Sequence, residues 1–156
     1  MKVSRASTLR CLFTAWIFAW FTAIYIPSGL IAALSLSPLA GGANLFADAF
    51  QVADEVSPAA KLTFATLFGA LLIPLRMGRV RLGVLVEAGL GLLCMLLVLA
   101  FLPETWSQGF GIGLTGSRFV LLPTAIYLGG GFLSGVVFSI SEANCARNRK
   151  KRQLDS

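Results

Sequence analysis

Four apolar stretches, each about long enough to cross a lipid bilayer, constrain this chain more than any other feature. They run from Cys11 to about Leu36, from about Ala59 to Leu75, from Leu82 to Leu102 and from Phe119 to about Ser141. Crossing about 30 Å of hydrocarbon takes near 20 helical residues at ~1.5 Å each. A chain in lipid has no water to satisfy its backbone, so such stretches cross as helices. A soluble fold is a poor alternative. Of the 156 residues, 56% are apolar and 13% charged, and the mean hydropathy is +0.80. A small soluble domain keeps a large wet exterior and carries roughly 25% charged residues. The expected fold is therefore an all-α integral membrane four-helix bundle. One transmembrane domain covers residues 11–141, with a terminal segment at 1–10 and a basic tail at 142–156.

The charges orient the bundle. Lys2, Arg5 and Arg10 precede the first span, Arg76, Arg79 and Arg81 join the second to the third, and Arg147, Arg149, Lys150, Lys151 and Arg152 follow the fourth. These are eleven of the 13 basic residues. Lys61 and Arg118 stand alone in the other two loops, beside Asp48, Asp54, Glu55 and Glu104. Basic loops stay on the cytoplasmic side, so both termini are expected there, as in a bacterial inner membrane. The first span could be read as a cleaved signal peptide, but its apolar run of about 26 residues exceeds the 7–15 of a signal core. Proline at position 38 also spoils the cleavage pattern before Ala40.

Two local patterns refine the picture. Pro27 cannot donate to the carbonyl of Ala23, and Gly29 follows it, so a kink is expected near Ile26–Gly29. In the first outer loop, Asn44, Asp48, Gln51 and Glu55 form a narrow polar stripe among apolar residues. This is the pattern of a short amphipathic helix over about 43–57, lying at the outer surface with Phe46 and Phe50 in lipid. Ser57 and Pro58 read as the cap and first residue of the second span. The other outer loop, Pro103 to Arg118, is rich in glycine and suggests an irregular turn or a re-entrant dip.

Little catalytic chemistry is legible. Histidine is absent, which removes His-ligated metals and haem and every nucleophile–histidine pair. Glu87, in the third span, is the one ionisable side chain well inside the apolar stretches. Such a residue suggests a proton, cation or amine site by default. It also lies about 9 Å along the helix from Arg81, close enough to pair with Arg76, Arg79 or Arg81. Gly83 and Gly91 flank Glu87 at four residues on either side, with Cys94 beyond, so that face should meet another helix. In the fourth span, Gly130 pairs with Ser134 and Gly131 with Gly135 as small-xxx-small motifs. Such motifs let helices approach in lipid, within the bundle or between proteins.

Other strings carry weaker meaning. Gly111-Ile112-Gly113-Leu114-Thr115-Gly116 matches a dinucleotide fingerprint, but that motif needs a preceding strand and a parallel sheet. Trp16 and Trp20 share a helix face at four-residue spacing. Trp16 suits the cytoplasmic interfacial belt, Trp106 the outer one, and Trp20 helix packing or lipid contact. Cys11, Cys94 and Cys145 are far apart in sequence, so neither a disulfide framework nor a zinc site is indicated. Cys145, next to a membrane end, could carry an acyl group.

The run Arg147-Asn148-Arg149-Lys150-Lys151-Arg152 could serve nucleic acid. Directly after a membrane span it reads instead as a topogenic anchor that attracts anionic headgroups. The expected function is a non-enzymatic accessory or interaction subunit without cofactor, bound to lipid and to another membrane protein or itself through the glycine faces. A small oligomeric transporter or channel using Glu87 is the alternative. An immunity or exclusion protein acting through residues 43–57 is a third reading.

Overall fold

The computed structural model describes residues 5–34, 36, 44–78, 82–101 and 121–154. The described residues form five helices and no strand. These are α1 (Arg5–Ala33), α2 (Leu45–Glu55), α3 (Pro58–Met77), α4 (Val84–Phe101) and α5 (Leu121–Leu154). Helices α1, α3, α4 and α5 are long and apolar enough to cross a membrane. The glycine-rich stretch 103–118, including Trp106 and the fingerprint-like string, lies outside the described residues, as do Arg79 and Arg81.

The long helices alternate in direction. Cys11 meets Cys145 at one end of the α1–α5 pair, and the Ser28 and Tyr127 hydroxyls lie 3.0 Å apart towards the other. α1 and α5 are therefore antiparallel. α4 and α5 are antiparallel by the same logic, with Gly91 against Gly131 and Glu87 against Gly135. The ends carrying Arg10, Arg76 and Arg147 thus gather on one side of the bundle, hereafter the basic end. The core between the helices is built from Leu12, Ile24, Phe64, Phe68, Met95 and Phe138, among others. Phe68 of α3 meets Phe138 of α5 edge to face, with ring centroids 5.8 Å apart.

Two tryptophans attach α1 to α3. The Trp16 indole N–H donates to the Ala65 carbonyl at 3.0 Å, and that of Trp20 to the Lys61 carbonyl at 3.1 Å. Gly69 makes room for the first bond, since a Cβ there would sit 2.8 Å from the Trp16 ring nitrogen. Trp16 is thus a strut between helices, its indole N–H finding the acceptor that an apolar seam requires. Replacing Trp16 with phenylalanine removes this bond and should cost about 1 kcal/mol. Unfolding by SDS in mixed micelles checks that value.

α1 runs unbroken through Pro27. The Ser28 hydroxyl donates to the Ile24 carbonyl at 2.7 Å, a bond that often accompanies a bend. The Pro27 ring packs on Gly130 of α5, where a Cβ would collide with the ring. Gly29 faces α2, with Ala49 Cβ at 3.9 Å from the position a side chain would take. The proline–glycine pair is thus placed by its two packing partners.

α2 has the expected amphipathic character and is capped by Asn44, whose side chain accepts from the Phe46 N–H at 3.0 Å. Its buried face holds Asp48, Val52 and Ala53, while Phe46 and Phe50 are exposed. One member of the polar stripe is thus turned inward. Phe50 contacts Tyr25 of α1, and Tyr25 stacks on Phe21. At the next element the Ser57 hydroxyl accepts from the Ala60 N–H at 3.1 Å, and Pro58 opens α3.

α5 departs most from the expected boundaries. It continues to Leu154, thirteen residues past Ser141, carrying Arg147, Arg149, Lys150, Lys151 and Arg152 in helical conformation. At ~1.5 Å per residue it is about 51 Å long, some 20 Å more than the hydrocarbon requires. Apolar patterning stops at Ser141, but the next residues are good helix formers and the helix propagates into them.

Candidate functional site

A cluster of charged side chains lies where α3, α4 and α5 meet at the basic end. Glu87 stands in the first turn of α4 and is fully buried. Arg76, in the last turn of α3, forms an ion pair with it through Nη2 and Oε1. The same guanidinium nitrogen lies 3.4 Å from Oε2 of Glu142 on α5. Ser139, one turn before Glu142, lies beside the Glu87 carboxylate. Of the three basic partners open to Glu87, Arg76 is the one among the described residues, and it pairs with the carboxylate.

Local structure explains the placement. An acidic residue in the first turn of a helix and a basic one in the last turn both complement the helix dipole. The α3–α4 connection brings those two ends together, so Arg76 and Glu87 neutralise each other and the helix termini they occupy. Gly83, before α4, accepts the N–H groups of Val86 and Glu87 at 2.9 and 3.2 Å. Among the described residues nothing lies within 4 Å of where a Gly83 side chain would begin. Gly83 therefore starts the helix and takes no part in the seam.

Among the described residues two carboxylates share one guanidinium. Neither Glu87 oxygen forms a hydrogen bond of regular geometry among the described residues, and neither does Arg76 Nε. Glu142 is partly exposed and can take up water at the rim. The cluster can act as an electrostatic clamp on three helices. Its second acidic group gives it, in addition, the chemistry to hold a proton or a small cation.

The glycines assemble into a second feature, the seam of α4 and α5. A side chain on Gly131 would begin 2.6 Å from Met95 Cβ and 2.8 Å from the Gly91 carbonyl oxygen. One on Gly91 would collide with the Gly131 carbonyl oxygen, and one on Gly135 with that of Glu87. Ser134 is buried with them, its hydroxyl donating to the Gly131 carbonyl at 2.7 Å. Gly130 faces Pro27 on the other side. Gly91, Gly130, Gly131, Ser134 and Gly135 are thus all engaged inside this chain. Of the basic residues after the fourth span, Arg147 is exposed. Arg149, Lys150, Lys151 and Arg152 lie in α5, and their side chains are outside the described residues.

Sequence reasoning missed three contacts. Glu142 could have been read as a partner, being an acid at the basic edge of the fourth span, opposite the arginine loop. The Ser28–Tyr127 pair has no signal beyond two polar groups in apolar helices. The Cys11–Cys145 disulfide corrects the expectation that no cysteines pair, and it occupies the sulfur that an acyl group would need. Sequence distance hid it, because only the antiparallel packing of α1 on α5 brings residues 134 positions apart together. Among the described residues no three metal-ligating side chains converge. The chain matches no family model, no curated protein sequence and no solved structure.

Proposed function

We propose that this chain is a small multi-pass accessory protein, without enzymatic activity, that binds a larger membrane protein through the outer surface of a self-contained bundle. The supporting observation is the backbone contact between α4 and α5. Its glycines are turned inward and matched to each other, so the stripe first expected to receive a partner is occupied within the chain. The bundle is then a preassembled unit, and recognition falls to what it presents outside. That exterior includes the large apolar side chains Leu9, Phe13, Ile17 and Phe21 at four-residue spacing along α1, and the basic helical extension of α5.

The orientation that goes with this function has both termini in the cytoplasm of a bacterial-type inner membrane. Arg10, Arg76 and Arg147 at one end, with Lys61 beside Asp54 at the other, support it through the positive-inside rule. The helical extension then projects into the cytoplasm, where its basic residues attract anionic headgroups. The function is tested by extracting the tagged chain from its native membrane in mild detergent. A larger membrane protein should co-purify in fixed ratio; recovery of the chain alone would contradict the proposal.

A second reading rests on the unequal charge of the cluster. With two carboxylates on one guanidinium among the described residues, Glu87 is the residue on which a proton- or cation-transporting oligomer would depend. In that case Glu87→Gln abolishes flux in reconstituted vesicles while the protein still inserts. Equal flux in the variant excludes a required glutamate.

A further inference from the structure

We infer that Cys11 and Cys145 form a reversible redox latch, which covalently locks and releases the basic end of the α1–α5 pair by thiol–disulfide exchange with a small disulfide of the glutathione class. The two residues are bonded with their Cα atoms 5.8 Å apart, well inside the span a disulfide accommodates. The α1–α5 packing puts them in register without the bond, since Ser28 meets Tyr127 and Pro27 meets Gly130 along the same seam. The sulfurs therefore stay adjacent when reduced, as a reversible pair requires.

The site is also reachable. A groove of about 520 Å³ opens beside the bond, with Thr14, Ser141, Asn144 and Asn148 among its lining residues. This is within the range of small-ligand sites, and its amides and hydroxyls suit a peptide. Arg10 adjoins Cys11, Arg147 lies two residues past Cys145, and both are exposed. They would draw an anionic tripeptide towards the groove. Cys94 is buried in the core as a free thiol and stays outside the exchange.

The chemistry balances as two successive displacements. A thiolate of the pair attacks the small disulfide, forms a mixed disulfide and expels one small thiolate. The second protein thiolate attacks the mixed disulfide at the protein sulfur and expels the other. Two electrons pass from the cysteine pair to the small disulfide, and the two cysteine protons end on the small thiols. Opening is the reverse. Reversibility rests on the cytoplasmic orientation proposed above, because cytoplasmic disulfides are transient and those on an oxidising side persist.

The test uses the full chain in bacterial inner membranes, quenched in acid and tagged under denaturing conditions with a polymer-linked maleimide. The chain has three cysteines, so the open form takes three tags and the latched form only the one on Cys94. Three tags are expected at rest, one after a short pulse of diamide or oxidised glutathione, and three again after washout with reduced glutathione. Three tags throughout would overturn the latch, and one tag throughout would replace it with a permanent bond. Cys145→Ser should keep the Cys94 tag and lose at most the Cys11 tag, to a mixed disulfide that has no second thiolate to resolve it; loss of both would overturn the pairing. A membrane-impermeant maleimide, added to intact cells with a permeant reductant, reads the orientation separately. Labelling that requires permeabilisation supports the cytoplasmic placement, and labelling of intact cells contradicts it.

Discussion

Replacing Gly135 with leucine should break the α4–α5 seam and leave the chain without its bundle. A side chain at this position starts inside the backbone of Glu87 and Ala88. Backbone cannot step aside as the end of a flexible side chain can. Overpacking a core costs about 1–3 kcal/mol where neighbours can shift, and here the helices themselves must separate. In lipid little else drives them back together, because helix association depends on close packing and interhelical hydrogen bonds. Unfolding by SDS in mixed micelles should place the variant at least ~3 kcal/mol below the unmodified chain, and Gly131→Leu should behave alike. Gly129→Ala is the matched control. Among the described residues nothing lies within 4 Å of that side chain's first position, so a helical glycine is replaced without a steric clash there. It should be neutral or up to ~1 kcal/mol stabilising. Equal behaviour of Gly135→Leu and Gly129→Ala would contradict the seam.

Arg76→Met should be the most damaging single change at the charge cluster. It leaves Glu87 fully buried without its Arg76 ion pair and Glu142 without the guanidinium 3.4 Å away. Removing one member of a buried pair costs about 3–5 kcal/mol, most of it the penalty on the charge left behind. Glu87→Gln should be milder, since Arg76 keeps Glu142 and the amide can still accept from it. The double variant Arg76→Met/Glu87→Leu should recover most of the loss, because a buried pair replaced by apolar groups of similar size is often neutral. A double-mutant cycle on unfolding free energy measures this. Additive losses would mean that the two side chains do not act as a pair.

Several features of the structure are legible in the sequence. Four helices follow from length and hydropathy alone, since lipid leaves the backbone no other way across. The Ser57–Pro58 start of α3 and the α2 helix were readable because caps and amphipathic spacing are local signals. Glu87 was found as a buried acid, with Arg76 among its three possible partners. What stayed hidden depends on which helices touch. The small-residue spacing of Gly131 and Gly135 is the same whether the facing helix belongs to this chain or to another. Cys11 and Cys145 carry no spacing signal, and their pairing exists only through the antiparallel α1–α5 contact. The end of α5 was misplaced because apolar patterning marks where a membrane ends, whereas a helix stops only at a breaker or an unfavourable run.

The central claim is that the interior of this protein is structural and that its exterior does the binding. The most direct test is native mass spectrometry of complexes drawn gently from the native membrane, for the unmodified chain and for Arg76→Met/Glu87→Leu. The account predicts the same larger membrane protein in the same ratio for both, because the double variant alters only the buried cluster. A partner-free homo-oligomer from the unmodified chain, with flux that the double variant abolishes, would contradict it and make the cluster the working part.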